Sequence, residues 1–352
     1  MALSYRGLGR SSGGTSIVTT LDRQPNMYDV AKLAKVSHQT VSRVVNNYPS
    51  LRPETRARVE RAMEELGYRP NQAARALVTQ RSRMVGILAS DLSLYGPSGM
   101  LQAMEFMARQ NDHIAVSCSV DPESESSVAE GIEHLASLGI DGLIVLVPQT
   151  KAVAAARMKL GNVPVVTVDS MYRLDELSVS VDNFGGGQTA TEHLLSLGHT
   201  GILHISGPKS WFEATARSSG YAAAMLAAGF QPSIVDGDWS ADTGYSIALE
   251  MSFAKRGVTA VFAANDYSAL GVLKAAHQRG IRVPEDLSVV GFDDVPESGY
   301  FLPSLTTMRQ DFAELGRQAL SLLLAQLDGV PESHSKPIVP TLVIRDSSAP
   351  AP

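Results

Sequence analysis

The sequence has little of several features that mark other classes of protein. Its 352 residues include a single cysteine, Cys118, so no disulfide can form within the chain and a reducing compartment is expected. The apolar runs, such as Gly142–Val147, are far shorter than the ~18–20 residues of a membrane helix. The first residues hold no apolar stretch like that of a secretory signal. We therefore expect a cytoplasmic globular protein without membrane association.

Charge is distributed unevenly along the chain. The net charge is −6, but residues 26–85 hold 11 Lys and Arg against 5 Asp and Glu, a local net charge of +6. Residues 86–352 carry a net charge of −14. A basic segment over residues 26–85 (the basic head) joined to an acidic remainder (the body) suits a protein that contacts a polyanion with one end only. Composition does not decide the matter, because many solvated helices are also rich in arginine.

Residues 26–69 follow the pattern of three short helices. Apolar residues recur at helical spacing within residues 28–35, 38–46 and 53–66, and Ser37 is placed to cap the second helix. Pro53 suits the first turn of the third helix, and Gly67 suits its end. This pattern predicts a helix-turn-helix.

The second helix leaves a polar face outward. Gln39 and Arg43 lie on that face, and these side chains can make paired hydrogen bonds to adenine and guanine edges in the major groove. Periodicity alone leaves DNA binding and a three-helix interaction module equally favoured.

Longer motifs decide between DNA binding and a three-helix interaction module. Tyr28-Asp29-Val30-Ala31, Val36 to Asn46 (VSHQTVSRVVN) and Leu66 to Asn71 (LGYRPN) resemble the lactose-repressor (LacI/GalR) family of transcription regulators. The resemblance implies that His38, Gln39 and Arg43 read bases. It implies that polar neighbours, namely Thr40, Ser42 and Asn46, contact phosphates. Arg52 stands where the family commonly has a Ser-type cap, so we expect a less well capped third helix.

The segment after Pro70 is short and rich in alanine. Such a helix is marginal in water, so we expect it to be largely unfolded without DNA. By resemblance it is a hinge helix that enters the minor groove, with Asn71 and Ala74 in contact with DNA and Leu77 wedged between base steps. A plain linker helix with Leu77 packed on the body is the alternative.

From Met84 onward, apolar strands alternate with amphipathic helices. This alternation predicts parallel sheets, and the number of units predicts two doubly wound lobes. Ligands of such sheets bind beyond the carboxyl ends of the strands. Polar residues fall at those ends: Ser90, Asp91, Asp169, Asn265, Asp266, Asp293 and Asp294.

Two further side chains suit a polyhydroxylated ligand. Arg217 offers a rigid fork of donors, and Trp239 offers a flat face to the C–H side of a sugar ring. Each residue also has a plain structural interpretation, since strand-end aspartates often cap the next helix and Trp239 could belong to the core. Their convergence favours a ligand site.

The family resemblance extends to about Arg345, and within the family the body is most similar to the lactose-repressor type. It implies that Asp169, Arg217, Asn265 and Asp293 bind sugar hydroxyls. It assigns an apolar wall to Leu94, Pro97, Trp239, Phe312 and Leu315, and places Ser90 and Gln310 at the site. Val181 stands where the lactose-repressor type has an aromatic residue, so we expect a roomier pocket on that side.

These observations predict an α/β protein with an N-terminal all-α helix-turn-helix module, a hinge, and a two-lobed, periplasmic-binding-protein-like effector domain. The expected segments are a disordered extension (1–25), the DNA-binding domain (26–69), the hinge (70–82), the effector and dimerisation domain (83–345) and a disordered tail (346–352). The first subdomain comprises about 83–181 and 310–340, and the second about 182–308 with a C-terminal return.

The predicted function is a dimeric, effector-controlled repressor of a pseudo-palindromic operator in double-stranded DNA, with a galactoside-like sugar as inducer and no cofactor or metal. A relative that answers to another metabolite as co-repressor is the alternative. A soluble sugar-binding protein of the transport type would leave the basic head unexplained. An enzyme lacks support, because neither a GxxxxGK[ST] loop nor an HExxH motif is present, and His193 and His199 lie near no evident nucleophile in the sequence.

Overall fold

The computed structural model describes residues 24–46, 48, 50–69, 81–147, 150–169, 177–330 and 336–352. Its residues fall into two compact units, 1–80 and 81–352, which we describe separately. The predicted hinge contacts Asn71, Ala74 and Leu77 lie outside the described residues, as does almost all of the predicted N-terminal extension. The segment boundaries given above stay predictions.

The first unit contains the predicted helix-turn-helix. Its helices are α1 (Met27–Ala34), α2 (His38–Val45) and α3 (Pro53–Leu66). Val30, Val41 and Val59 are fully buried where the three helices meet. The tight turn between α1 and α2 uses a left-handed residue, Lys35 (φ 51°), and Ser37 then caps α2 by accepting a hydrogen bond from the backbone N–H of Thr40.

The ends of α3 follow the sequence prediction. Arg52 makes no capping hydrogen bond through its side chain, and Pro53 occupies the first turn. Gly67 ends the helix at φ 62°, a left-handed conformation that glycine adopts without steric cost.

The second unit begins with a five-stranded parallel sheet in the order β2-β1-β3-β4-β5. Successive residues of β1 face opposite cores: Ile87 packs with one helix layer and Leu88 with the other. The elements in chain order are β1 (Met84–Ala89), α4 (Tyr95–Gln110), β2 (Ile114–Ser119), α5 (Glu125–Ser137), β3 (Gly142–Leu146), α6 (Thr150–Leu160), β4 (Val165–Asp169) and β5 (Ser178–Ser180).

A six-stranded sheet follows in the order β11-β10-β9-β8-β6-β7, parallel except for β11. Between β10 and β11 the chain returns to the first sheet, where α11 packs beside α4. The elements are α7 (Asn183–Ser196), β6 (Ile202–Ile205), α8 (Phe212–Ala227), β7 (Ser233–Val235), α9 (Ala241–Glu250), β8 (Ala260–Ala263), α10 (Asp266–Gln278), β9 (Ser288–Asp293), β10 (Thr306–Arg309), α11 (Phe312–Leu327) and β11 (Thr341–Val343). The α/β fold class with two lobes is confirmed.

The prediction of a disordered tail at 346–352 is wrong. Ser347 is fully buried, and its side chain donates to the carbonyl oxygen of Val289 in β9 and accepts from the backbone N–H of Thr306 in β10. Its backbone accepts from the N–H of Val289, and Ala351 donates to Leu197. We call residues 346–351 the C-terminal strap.

The sequence predicts a single helix over Thr243–Lys255, but α9 ends at Glu250 and a separate 3₁₀ turn covers Ala254–Arg256. Helices α6 and α11 and strands β5, β7, β10 and β11 were not predicted from the sequence. In the part of the chain that is described, no helix has the length and apolar character needed to cross a membrane.

Candidate functional site

Helix α2 presents a compact polar surface on the first unit. Gln39 and Arg43, one turn apart, are exposed, and the guanidinium carbon of Arg43 lies 5.7 Å from the centre of the Tyr48 ring. His38 stacks on Tyr28 with ring centres 4.7 Å apart. These contacts orient His38 and Arg43 while leaving the amide of Gln39 and the guanidinium of Arg43 accessible.

Three other predicted DNA-contacting residues of α2 are partly buried. Thr40 and Ser37 share a hydrogen bond between their hydroxyls at 2.9 Å, and the amide of Asn46 donates to the hydroxyl of Ser42 at 3.4 Å. Their hydroxyl and amide groups therefore make hydrogen bonds near the two ends of α2, and the three residues flank the exposed Gln39 and Arg43.

The second unit contains a cavity beside the carboxyl ends of strands from both sheets. Its volume, counted as the space that the centre of a water molecule can occupy, is about 80 Å³, and the cavity is open to solvent on one side. One side is apolar: Tyr95 and Phe312 meet edge to face at 5.6 Å. The lining residues are Leu94, Tyr95, Gly96, Pro97, Met100, Leu146, Val168, Val181, Asn183, Trp211, Glu213, Arg217, Trp239, Asn265, Asp293, Gln310, Phe312 and Leu315.

Arg217 of α8 organises the polar side. Its Nε donates to the side-chain oxygen of Asn183 at 2.7 Å, and its Nη1 donates to the carbonyl of Ala264 at 2.5 Å. Nη1 also lies 3.5 Å from a carboxylate oxygen of Asp293, and that oxygen accepts from the amide of Gln310 at 2.6 Å. Burial lowers the pKa of Arg217, but an arginine remains charged, so this side chain places a fixed cation in the cavity.

The backbone beneath Arg217 permits this arrangement. A Cβ at Gly187 of α7 would lie 2.3 Å from the carbonyl oxygen of Arg217, and one at Gly220 of α8 would lie 2.0 Å from that of Phe184. Only glycine allows α7 and α8 to approach this closely, and the approach brings Asn183 within reach of Arg217.

Trp239 forms a wall of the cavity with its ring fixed on several sides. Its backbone is left-handed (φ 71°), and its carbonyl accepts from the side-chain amide of Asn265 at 2.9 Å. The Asn265 oxygen in turn caps α10 by accepting from Ser268. The indole Nε1 of Trp239 is buried and has no hydrogen-bond partner among the described residues. Both interpretations of Asn265 from the sequence therefore apply, as a helix cap and as a cavity residue.

The structure brings most of the predicted ligand residues together. Leu94, Pro97, Arg217, Trp239, Asn265, Asp293, Gln310 and Phe312 line one cavity, as do Leu315 and Val181. Ser90 does not: it is fully buried and absent from the lining. Asp169 ends β4, but the position of its side chain lies outside what the structure describes.

Sequence reasoning missed several residues of the cavity. Asn183 begins α7, while Trp211 and Glu213 begin α8, just after β6. The rule that ligands bind beyond the carboxyl ends of strands, applied to β6 as it was to β1, would have drawn attention to residues 206–213. Tyr95 and Met100 carried no such signal.

Two buried carboxyl groups lie on the second lobe's side of this site. Burial raises the pKa of Asp293 to about 6, against the opposing effects of Arg217 and Gln310. Burial raises the pKa of Asp266 to about 7, assisted by the charge of Asp293 and opposed by hydrogen bonds from Ser298, Thr307 and Val295. Desolvation outweighs favourable partners at both groups.

These shifts predict an unusual dependence on pH. The ordinary pKa is 3.8, so between pH 3.8 and about 7 the folded protein binds more protons at this pair than the unfolded chain does. The pair's contribution to the free energy of unfolding therefore falls as the pH rises through that window. A carboxyl ¹³C NMR titration should show at least one aspartate titrating above pH 5, with values that belong to the coupled pair.

Asp286 provides the internal control for that titration. Hydrogen bonds from Arg282 hold its pKa at about 2 on an exposed surface. If every aspartate carboxyl titrated below pH 5, burial would not dominate at Asp266 and Asp293.

A histidine expected to lie away from nucleophilic side chains in fact contacts two hydroxyl groups. His199 Nε2 lies 3.0 Å from both the carbonyl oxygen of Ala349 and the hydroxyl of Ser288, and Nδ1 lies 2.8 Å from the Thr259 hydroxyl. Ser288 is fully buried beneath the C-terminal strap, so no substrate reaches it. This cluster holds the strap and resembles no accessible catalytic site.

Comparison with known proteins gives matches over both units. Residues 26–71 match the family described as bacterial regulatory proteins, lacI family, and residues 191–348 match the periplasmic binding protein-like domain. The lactose operon repressor of Escherichia coli K12 is 34% identical over 328 residues, covering 93% of this chain and 91% of that protein.

Two further matches extend this result. The ribose operon repressor of Halalkalibacterium halodurans is 33% identical over 91% of this chain and 96% of that protein. Among solved structures, the lac repressor dimer bound to operator and the anti-inducer ONPF superposes with a TM-score of 0.83 at 33% identity, covering 93% of this chain and 100% of that one.

Proposed function

The chain belongs to the lacI family of bacterial regulatory proteins, and we propose that it is a transcriptional repressor. A neutral sugar bound in the cavity of the second unit controls its affinity for operator DNA. The observation that carries the proposal is the presence in one chain of an exposed Gln39 and Arg43 pair on α2 and of an enclosed cavity with a fixed arginine fork. The exposed pair suits the DNA-binding part of an effector-controlled repressor, and the cavity suits its effector-binding part.

The DNA-binding half rests on α2. His38, Gln39 and Arg43 read base edges, with Gln39 suited to adenine and Arg43 to guanine, while Thr40, Ser42 and Asn46 contact phosphates. The net charge of +6 over residues 26–85 favours a polyanion against an acidic body. The segment with Asn71, Ala74 and Leu77 completes the contacts as a hinge. A homodimer would place two such units on the half-sites of a pseudo-palindrome.

The effector half rests on the mixture of groups that line the cavity. Arg217, Asp293, Asn265 and Gln310 offer donors and acceptors to neighbouring hydroxyl groups, and the orphan Nε1 of Trp239 offers one more donor. The apolar wall of Leu94, Pro97 and Phe312 suits the C–H faces of a sugar or its aglycone. Ser90 and Asp169 are retained as candidates, the former for a supporting role beneath the cavity.

The two halves are linked by differential affinity. A ligand that bound the DNA-competent and the released states equally would shift nothing, so the inducer must bind the released state more tightly. Turnover of the ligand is not part of the proposal: the relatives described above are transcription regulators, and we propose a cytoplasmic protein that is not an enzyme and uses no cofactor.

A mobility-shift titration tests the proposal. The full-length protein is bound to an operator selected from random double-stranded DNA, and neutral sugars are then added. We expect one of them to weaken operator binding. If all sugars leave the affinity unchanged and another metabolite strengthens it, the protein is a co-repressor-dependent member of the family instead. Chemical conversion of a bound sugar would contradict the non-enzymatic part.

Arg43→Ala should relax the preference for one base pair of the operator. Removing a bidentate contact to guanine costs roughly 1–3 kcal/mol of operator binding. The change is measured by comparing affinities for the operator and for its three variants at that base pair. Arg43→Lys is the matched control: it keeps the charge and the phosphate attraction but loses the planar fork, so it should lose discrimination with a smaller loss of non-specific affinity. A uniform loss over all four bases would make Arg43 a phosphate contact.

A further inference from the structure

The start of α8 contributes three side chains to the cavity. Trp211, Glu213 and Arg217 all line it, and Glu213 and Arg217 are one helical turn apart. Arg217 was expected from the sequence, whereas Trp211 and Glu213 were not. Because they stand beside the organising arginine, these two residues are placed to decide which sugar-like molecules the site accepts.

Trp211 and Trp239 form an aromatic corner. Their ring centres lie 5.8 Å apart and their planes meet at 71°. The backbone at Gly207 packs directly against the Trp239 ring, since a Cβ at that position would lie 2.4 Å from the ring. On its other side the guanidinium carbon of Arg217 lies 5.3 Å from the ring centre. The corner is therefore rigid on the Trp239 side, and the half-buried Trp211 presents a second aromatic surface.

The cavity's charges disfavour an anion. Among the described residues, its lining contains two acidic residues, Glu213 and Asp293, against one cation, Arg217. Both carboxylates act on the charge of that arginine, as does the buried Asp266 behind them. The guanidinium also already donates to Asn183 and Ala264. A phosphorylated or acidic sugar would bring a further anion among these carboxylates, and like charges repel more strongly there than in bulk water.

We propose that Trp211 and Glu213 determine the ligand class of this protein, a neutral glycoside of two rings, with the second ring held in the Trp211–Trp239 corner and phosphorylated sugars rejected by Glu213. This rests on the proposed function, because it assumes that a sugar occupies the cavity. One pyranose ring lies at Arg217 and Asp293, where its hydroxyls find donors and acceptors. The second ring, either another sugar or an aryl group, packs edge or face against Trp211.

Matched ligand sets test this on the purified full-length protein by isothermal titration calorimetry. Each set contains a monosaccharide, a disaccharide with that sugar at its non-reducing end, the corresponding nitrophenyl glycoside and the 6-phosphate, in both the galactose and the glucose series. We expect a two-ring member to bind at least about tenfold more tightly than its monosaccharide, and the 6-phosphate to bind more weakly than either. The disaccharide and aryl members distinguish a sugar from an aromatic second ring.

Two substitutions locate the effect. Trp211→Ala should reduce the affinity for the two-ring ligand about tenfold and the affinity for the monosaccharide by less than about threefold, and Trp211→Phe should restore most of the loss. Glu213→Gln should raise the affinity for the 6-phosphate several-fold with little change for the neutral two-ring ligand. Operator binding by each variant, without sugar, reports that the protein is folded.

The outcomes separate the two proposals. If no neutral sugar binds, the sugar part of the proposed function fails and this inference fails with it. If sugars bind but mono- and two-ring ligands are equal, or Trp211→Ala weakens both alike, the aromatic corner supports the fold and does not select the ligand. If the 6-phosphate binds best, the assignment of Glu213 is overturned while the sugar-controlled repressor stands.

Discussion

Arg217→Ala is expected to abolish the response to effector while leaving the affinity for operator nearly unchanged. The side chain is almost fully buried and donates to Asn183 and to Ala264 while pairing with Asp293. Without it the described lining of the cavity contains no guanidinium, and effector affinity should fall at least a hundredfold, since buried charged contacts to a ligand contribute several kcal/mol. The helices that contact DNA are in the other compact unit, so operator contacts persist.

The same substitution should cost the second unit about 3–5 kcal/mol of stability, because the buried carboxyl of Asp293 loses its partner. Thermal unfolding measures that cost, and mobility-shift titration with and without effector measures the response. The double variant Arg217→Ala, Asp293→Asn is the control: it removes the unpaired charge, so stability should recover in part while the response stays absent. A single variant that weakened operator binding as much as Arg43→Ala does would contradict the division into two functional units.

Removing the C-terminal strap, with the chain ended after Arg345, should destabilise the second lobe by roughly 3–6 kcal/mol. The deletion leaves the N–H groups of Val289 and Thr306 without partners, and it removes one of the two partners of His199 Nε2, the carbonyl of Ala349. A buried group that loses its only partner costs about 1–3 kcal/mol. Thermal and urea unfolding of the two forms give the difference directly.

A chain ended after Pro350 is the matched control for that deletion. It keeps Ser347 and Ala349 and loses only the bond from Ala351 to Leu197, so its stability should lie within about 1 kcal/mol of the intact protein. Equal stability of all three forms would mean that residues 346–351 contribute little to the folded state.

The fold was predictable wherever periodicity carried the signal. Continuous apolar strands such as Gly142–Leu146 are buried on both faces, and this burial pattern is what identifies a parallel sheet from sequence. Strand β7 is three residues long and largely exposed, so it left no comparable pattern. The strap was missed because its Pro, Ala and Ser residues resemble those of a disordered segment. Its order comes from backbone hydrogen bonds and from small hydroxyl groups, which composition does not reveal.

The cavity was predictable to the extent that strand ends reveal it. Asn265 and Asp293 directly follow or end buried strands, and topology alone brings such positions to one edge. Trp211 and Asn183 belong to helix starts whose neighbours depend on how α7 packs against α8. That contact is set by Gly187 and Gly220, and their role emerges only when the two backbones are seen to touch. Ser90 had the right position at the end of its strand but is fully buried and does not line the cavity.

The C-terminal strap also bears on how this protein is synthesised. Strands β9 and β10 leave the ribosome well before residues 346–351, yet their backbone groups at Val289 and Thr306 are satisfied by Ser347. During translation the first sheet is incomplete until α11 has been synthesised. The second lobe is incomplete until residues 346–351 have been synthesised. The lobe therefore has unpaired polar backbone groups until that stretch emerges, and incompletely folded chains of this kind are prone to aggregate.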